Sequence, residues 1–228
     1  FCFKILNFPA EHIMHMAIGT SLSIILVTVT NSMYAHHLNK NIDWNISKKM
    51  FFAIVIGALA GGFVSKDLAA KTLEIIFSVY VTLVSIKMLM DVKVERDPKA
   101  TKDVFYWTVG FIIGFKSTIL GIGGGTISIP FLTWRGLPMK KAVGISASLG
   151  IPIAMAGVAS YIYNGMKISN LPEYSMGYIY LPALVGVVLT SSFFARIGAK
   201  LSHNLDQQKL KKAFAIFLML IALKIFIG

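Results

Sequence analysis

GIGGGTISIP, residues 121–130, places Gly121, Gly123, Gly124 and Gly125 within five positions and follows them with Thr126, Ser128 and Pro130. Such glycines let a backbone turn and approach a ligand without a Cβ in the way. Thr126 and Ser128 then stand at the start of a short return helix, where free N–H groups, the helix dipole and small hydroxyls make an anion site. Lys116 lies five residues before Gly121 in the same apolar run. An ammonium there either attracts an anion or reaches back to the membrane surface along its aliphatic stem. No GK[ST] closes the motif, so it is a poor phosphate loop. The plain alternative is that these glycines only let helices pack closely.

A second set of small hydroxyls sits on a repeated motif: Thr20 and Ser21 in AIGTSL (17–22), and Ser146 in AVGISA (142–147). They can bind a desolvated oxyanion, or bond a carbonyl one turn back or on a neighbouring helix. Pro152, further along the second copy, breaks the helical ladder. Of ten acidic residues only Glu74 lies inside an apolar helix. There is thus no carboxylate pair for acid–base catalysis, and Glu74 is left as a candidate for proton coupling. His12 and His15, spaced i, i+3, have no third ligand beside them and read as interfacial histidines rather than a metal site. No catalytic residue, metal or cofactor is expected.

The elements that must position these groups are apolar. The 228 residues are 56% hydrophobic and 14% charged, against about a quarter charged in an ordinary soluble domain. Apolar stretches cover 13–35, 50–64, 68–90, 104–134, 140–163, 174–195 and 205–227, with short polar joints between them. The formal charge of +12 collects in those joints, which reads as membrane topology and not as a nucleic-acid surface. Tyr161, Tyr163, Tyr174, Tyr178, Tyr180 and Trp134 look like an interfacial aromatic belt. The single cysteine, Cys2, excludes an internal disulfide.

The chain looks duplicated. AIGTSL matches AVGISA, and KTLEIIF (71–77) matches QKLKKAF (208–214), in the same order and about 125 to 137 residues apart. If 104–134 crossed as one span, Lys and Arg in the joints would divide eight to ten between the two sides. If the chain instead turns at the glycines and returns, fifteen fall on the side carrying the 36–49 joint and three on the other. The second arrangement obeys the positive-inside rule and makes 36–49, 91–103, 135–141 and 196–212 cytoplasmic. Each copy then has three spans plus a re-entrant pair, an odd number, so the copies enter the membrane in opposite directions.

The expected fold is therefore an all-α integral membrane protein of two inverted-topology repeats. Each holds three spans and a re-entrant, broken helix pair at a Gly-rich motif. Residues 1–90 form the first repeat, 91–103 a cytoplasmic linker and 104–228 the second repeat. The first copy lacks a glycine cluster and the chain begins FCFKILNFP, so the first re-entrant pair is expected upstream of Phe1 or lost.

GIGGGTISIPFL, the AVGISA run about twenty residues later, the diverged AIGTSL copy and the YAHHLNKNIDW joint after it resemble the sulfite exporter TauE/SafE family of membrane permeases. The resemblance covers nearly the whole chain. It implies movement of sulfur-containing anions such as sulfite, thiosulfate or organosulfonates across a bacterial inner membrane. It also implies a substrate route lined by Gly121 to Gly125, Thr126 and the 142–147 run, with 17–22 opposite. Two departures stand out: the first glycine motif is absent, and GISA replaces the usual GTSL, so that Ile145 removes a hydroxyl. The partners expected are a small anion and the lipid bilayer, with no nucleic acid and with a homo-oligomer left open. The competing reading is a membrane scaffold or sensor that keeps the permease fold without transport.

Overall fold

The computed structural model describes residues 8–90, 103–203 and 207–227. Among these, helices α1 (Ile13–Leu38), α2 (Trp44–Ser65) and α3 (Ala70–Leu89) precede α4 (Asp103–Leu120), the short α5 (Gly125–Trp134) and α6 (Met139–Gly165). A two-stranded ribbon, β1 (Ser175–Met176) and β2 (Ile179–Tyr180), leads into α7 (Leu181–His203) and α8 (Gln207–Ile227). Helices α1, α2, α3 and α6 are long and apolar enough to cross a membrane. The 27 residues of α6 extend about 40 Å, more than the ~30 Å hydrocarbon core, whereas the ten of α5 reach only about 15 Å.

Local chemistry sets the element ends. The Asp43 carboxylate accepts from the Asn45 and Ile46 N–H groups at 3.0 and 3.4 Å, capping α2. Gly121, at φ +65, takes the left-handed conformation that ends α4, and the Ile122 N–H donates back to the Ser117 carbonyl at 3.1 Å. The chain then doubles back. Phe105 and Tyr106 at the start of α4 meet Phe131 at the end of α5, with ring centroids 5.6 and 5.9 Å apart.

Helices α2 and α4 lie parallel along a seam of glycines. A Cβ at Gly57 or Gly61 would strike the Phe111 or Phe115 carbonyl, and one at Gly114 the Ile54 carbonyl. Both faces carry the G-x-x-x-G spacing, at 57–61 and 110–114, which lines small residues on one stripe of a helix. Helices α1 and α6 run antiparallel, with Gly150 against Val29 and Gly157 against Leu22. The glycines of the repeated motif are buried reciprocally. Gly19 of α1 lies under the Tyr178 carbonyl of the ribbon that follows α6, and Gly144 of α6 lies under Asn41 in the joint that follows α1. Helices α3 and α8 pair through the Ser85 hydroxyl, which donates to the Ala215 carbonyl at 2.7 Å.

These contacts define two ends. At one, Lys49 pairs with Asp103 at 2.6 Å, close to where α5 ends and α6 begins; the 36–49 and 135–141 joints meet there. Residues 91–102 of the predicted cytoplasmic linker lie outside the described residues, and 196–203 belong to α7 rather than to a joint. At the opposite, ribbon end the Asn164 amide donates to the Gly62 carbonyl at 2.9 Å. Apolar packing fills both halves, with Met50, Ile113, Leu132, Leu149 and Ile153 toward the Asp103 end and Met16, Leu22, Leu73, Ile119 and Tyr161 toward the ribbon.

Three sequence expectations need correction. Helix α6 runs unbroken through Pro152, because the lost hydrogen bond is tolerated where neighbouring helices enclose the backbone. The 174–195 stretch opens as the ribbon and becomes helical only at Leu181. Tyr161 and Tyr178 are not part of a belt: they are 1% and 4% exposed and pack in the core under the ribbon.

Candidate functional site

The turn between α4 and α5 sits at half height. The Cβ position of Gly124 lies 2.7 Å from Ile153 Cδ1 and 3.0 Å from Ile113 Cγ2, and Ile153 is next to the midpoint of α6. Helix α5 therefore starts in the middle of the molecule. The Gly124 carbonyl accepts the Ile127 and Ser128 N–H groups at 3.2 and 2.9 Å, which leaves those of Gly125 and Thr126 at the positive end of the helix dipole, facing the turn.

Around this start the sequence-predicted residues fall into three groups. Ser21 of α1 donates to the Gly121 carbonyl at 2.8 Å, tying the turn to the first repeated motif. The Ser128 hydroxyl lies 2.9 Å from the Gly124 carbonyl and 2.7 Å from the Ser146 hydroxyl, so its one proton is engaged within the protein and α5 is joined to the second repeated motif. Lys116 and Thr126 meet through a residue that the sequence did not flag: the Lys116 ammonium lies 4.2 Å from the centroid of the Tyr80 ring, and the Tyr80 hydroxyl donates to Thr126 Oγ1.

Lys116 lies deep along its helix. It stands 13 residues into α4, about 20 Å along the axis, and its charge rests on an aromatic face. Among the described residues no carboxylate pairs with it. Tyr80 is held by the α3–α8 pairing, packed with Val81, Leu120 and Ala222. A tyrosine on α3 could have been suspected only by asking which aromatic ring lies deep in an apolar helix.

Gly123 differs from its neighbours. A Cβ built there meets nothing within 4 Å, so the backbone at this position faces open space. Gly125 has ordinary clearance, 3.4 Å to Ser146 Oγ. Two predicted residues stand apart. Thr20 accepts the Tyr180 N–H at 3.1 Å, fastening the ribbon to α1 instead of facing the turn. Glu74 pairs with Lys71 at 3.6 Å and borders a cleft with Ser78 and Ile225, on the α3–α8 seam. No group of three or more metal-ligating side chains occurs among the described residues.

The family model described as "Sulfite exporter TauE/SafE" matches residues 3–225. A "Probable membrane transporter protein" of Haemophilus influenzae is 35% identical over 98% of this chain and 85% of its own length. A "Probable membrane transporter protein MJ0441" of Methanocaldococcus jannaschii is 26% identical over 86% of this chain and 73% of its own. A third relative, "Probable membrane transporter protein YunE" of Bacillus subtilis, is 25% identical over 90% of this chain and 78% of its own. No solved structure matches the chain at a significant level.

Proposed function

The chain belongs to the sulfite exporter TauE/SafE family of multi-pass membrane transporters, and from that premise we propose that it moves small sulfur-containing oxyanions such as sulfite, thiosulfate or organosulfonates by alternating access. One observation carries the reading: a lysine with no carboxylate partner among the described residues and the N-terminus of a half-length helix converge, through Tyr80 and Thr126, at half height beside the open backbone of Gly123.

Each part suits an anion. The ammonium supplies charge, the N–H groups of α5 supply direction, and Thr126, which accepts from Tyr80 and so keeps its own proton, supplies a hydroxyl. A sulfur oxyanion presents several oxygens to such donors. The antiparallel crossing of α1 and α6, and the reciprocal burial of Gly19 and Gly144, support two repeats of opposite topology, 1–90 and 104–228, with α4 and α5 as the re-entrant pair of the second. In this arrangement the Asp103 end, rich in lysine, faces the cytoplasm of a cell whose inner membrane holds the protein. An inside-negative potential then drives a monovalent anion outward by about 2.3 kcal/mol per 100 mV. This supports export.

The test is flux of labelled sulfite, thiosulfate and a small sulfonate in proteoliposomes, first under an imposed potential and then under a pH gradient. Saturable flux that the Lys116→Met variant loses is the expected result. Absence of flux and of any anion-dependent thermal stabilisation would overturn the proposal and leave a permease fold used as a scaffold.

A further inference from the structure

The ribbon end contains a second polar cluster, unrelated to the turn. It runs inward from an exposed carboxylate to a buried imidazole. Glu11 pairs with His12 at 3.6 Å; their side chains are 69% and 16% exposed, and His15, one helical turn further on, is 3% exposed. The expectation of interfacial histidines thus fails for His15. Its ring stacks on Tyr178, with centroids 5.1 Å apart and planes 26° from parallel, and its Nε2 lies 2.9 Å from the Ser65 carbonyl. A carbonyl can only accept, so Nε2 carries the proton of a neutral ring. The opposite nitrogen, Nδ1, is buried without a partner.

We propose that His15 is a proton-binding site whose occupancy releases the 175–180 ribbon from the ribbon end of α1. Three contacts hold that ribbon against α1: the His15–Tyr178 stack, the Tyr180 N–H donated to Thr20, and the seating of the Tyr178 carbonyl against Gly19; the Tyr178 N–H donated to the Tyr161 carbonyl at 3.3 Å ties it to α6. A proton added at Nδ1 makes no hydrogen bond in this closed arrangement, and it places a cationic imidazole 6.3 Å, between ring centroids, from the His12 ring. An arrangement in which Nδ1–H meets water or the Glu11 carboxylate accommodates that proton. Proton binding therefore shifts the population toward the open arrangement. Glu11 and His12 line the approach from solvent.

The groups facing His15 are few. From its own helix and the approach to it come His12 and Glu11. From α2 comes the Ser65 carbonyl, followed by the Lys66–Asp67 pair. From the ribbon comes Tyr178, whose phenol burial, and next the Glu11 carboxylate, hold above its usual range, so that it stays neutral. From α6 comes Tyr161 behind Tyr178, with Lys167 beyond the helix end lying over Tyr163. Helix α3 contributes Leu73, its Lys71–Glu74 pair lying on the same helix. His12 and His15 are the only imidazoles in this set.

The experiment needs no transported anion. Ser23, 7% exposed, lies one turn deeper on the α1 face that Gly19 presents to the ribbon. In a Cys2→Ser background, Ser23→Cys is a near-isosteric reporter for a membrane-impermeant maleimide in nanodiscs. Labelling rates are corrected for the thiolate fraction measured on a fully exposed cysteine. The corrected rate is expected to rise about tenfold from pH 8 to pH 5.5 with His15 present, and to stay flat in His15→Gln, which keeps a donor to Ser65 but does not titrate. His12→Gln is expected to keep the rise with a shifted midpoint. A rise that persists in His15→Gln, one that disappears in His12→Gln, or a flat profile in the parent overturns the proposal. So does an Nδ1 resonance of His15, in a 15N-histidine-labelled parent, that fails to move across the same pH range.

Discussion

Between Gly57 and Gly114 glycines remove side chains so that two helices can touch; at Gly123 a glycine removes a side chain and nothing takes its place. The two regions share α4, yet the same residue type serves opposite ends. Along the α2–α4 seam every omitted Cβ would strike backbone or a packed side chain, so the glycines are a condition of the fold. At the turn the contacts are graded: Gly121 needs its positive φ, Gly124 would press on two isoleucine methyl groups, and Gly123 is free. Packing glycines and ligand-facing glycines are told apart by what a Cβ would meet.

That contrast can be broken most severely at the seam. Gly57→Leu is expected to cost about 3 kcal/mol, the upper range of overpacking, because the Phe111 backbone cannot yield; size-exclusion profiles and thermal unfolding in detergent should show loss of the folded species. A well-folded Gly57→Leu protein would deny that the seam is a structural constraint.

Next comes the charge at the turn. Lys116→Met should keep the fold while losing about 2 kcal/mol of anion stabilisation, the scale of a charged hydrogen bond. It would be read as a roughly thirtyfold fall in flux per KM at constant melting temperature. A fall in melting temperature of the same size would instead make Lys116 a packing residue.

Gly123→Leu sharpens the comparison from the other side. With open space at its Cβ, stability should stay within about 0.5 kcal/mol while flux drops at least tenfold, or about 1.4 kcal/mol in the barrier. Gly124, the more obvious choice from sequence, is a poorer test because its substitution also disturbs Ile153. Unchanged flux in Gly123→Leu would mean that the open face is not on the route.

The smallest effect belongs to Tyr80→Phe. It leaves the ring under Lys116 and removes one hydrogen bond to Thr126, worth about 1 kcal/mol, so KM should rise about fivefold with little change in kcat. Tyr80→Leu, which removes the ring as well, should approach Lys116→Met.

Much of this was legible in the residues. The apolar runs mark the helices, and the glycine cluster with its charge pattern marks a turn, because both are local signals. The seam is marked as well, since 57–61 and 110–114 each carry the small-residue spacing. What could not be read is whatever one element does to another far along the chain. Tyr80 reaches Lys116 across 36 positions, and His15 is buried by a ribbon some 160 positions away. The hydroxyls of Thr20 and Ser21, adjacent in sequence, part company for the same reason: one fastens a ribbon and the other a turn. Glu74 had the right chemistry for coupling but faces Lys71 and α8.

The reciprocal burial of Gly19 and Gly144 has a consequence for how the chain comes to exist. Each notch is stoppered by a segment from the other half, like two hands each holding the other's wrist. Neither half can finish itself during synthesis: when α1 to α3 have left the ribosome, the notch at Gly19 still waits for a ribbon more than 80 residues behind the end of α3. The notch at Gly144 finds Asn41 already made, so the notch at Gly19 is the last of the two to be filled.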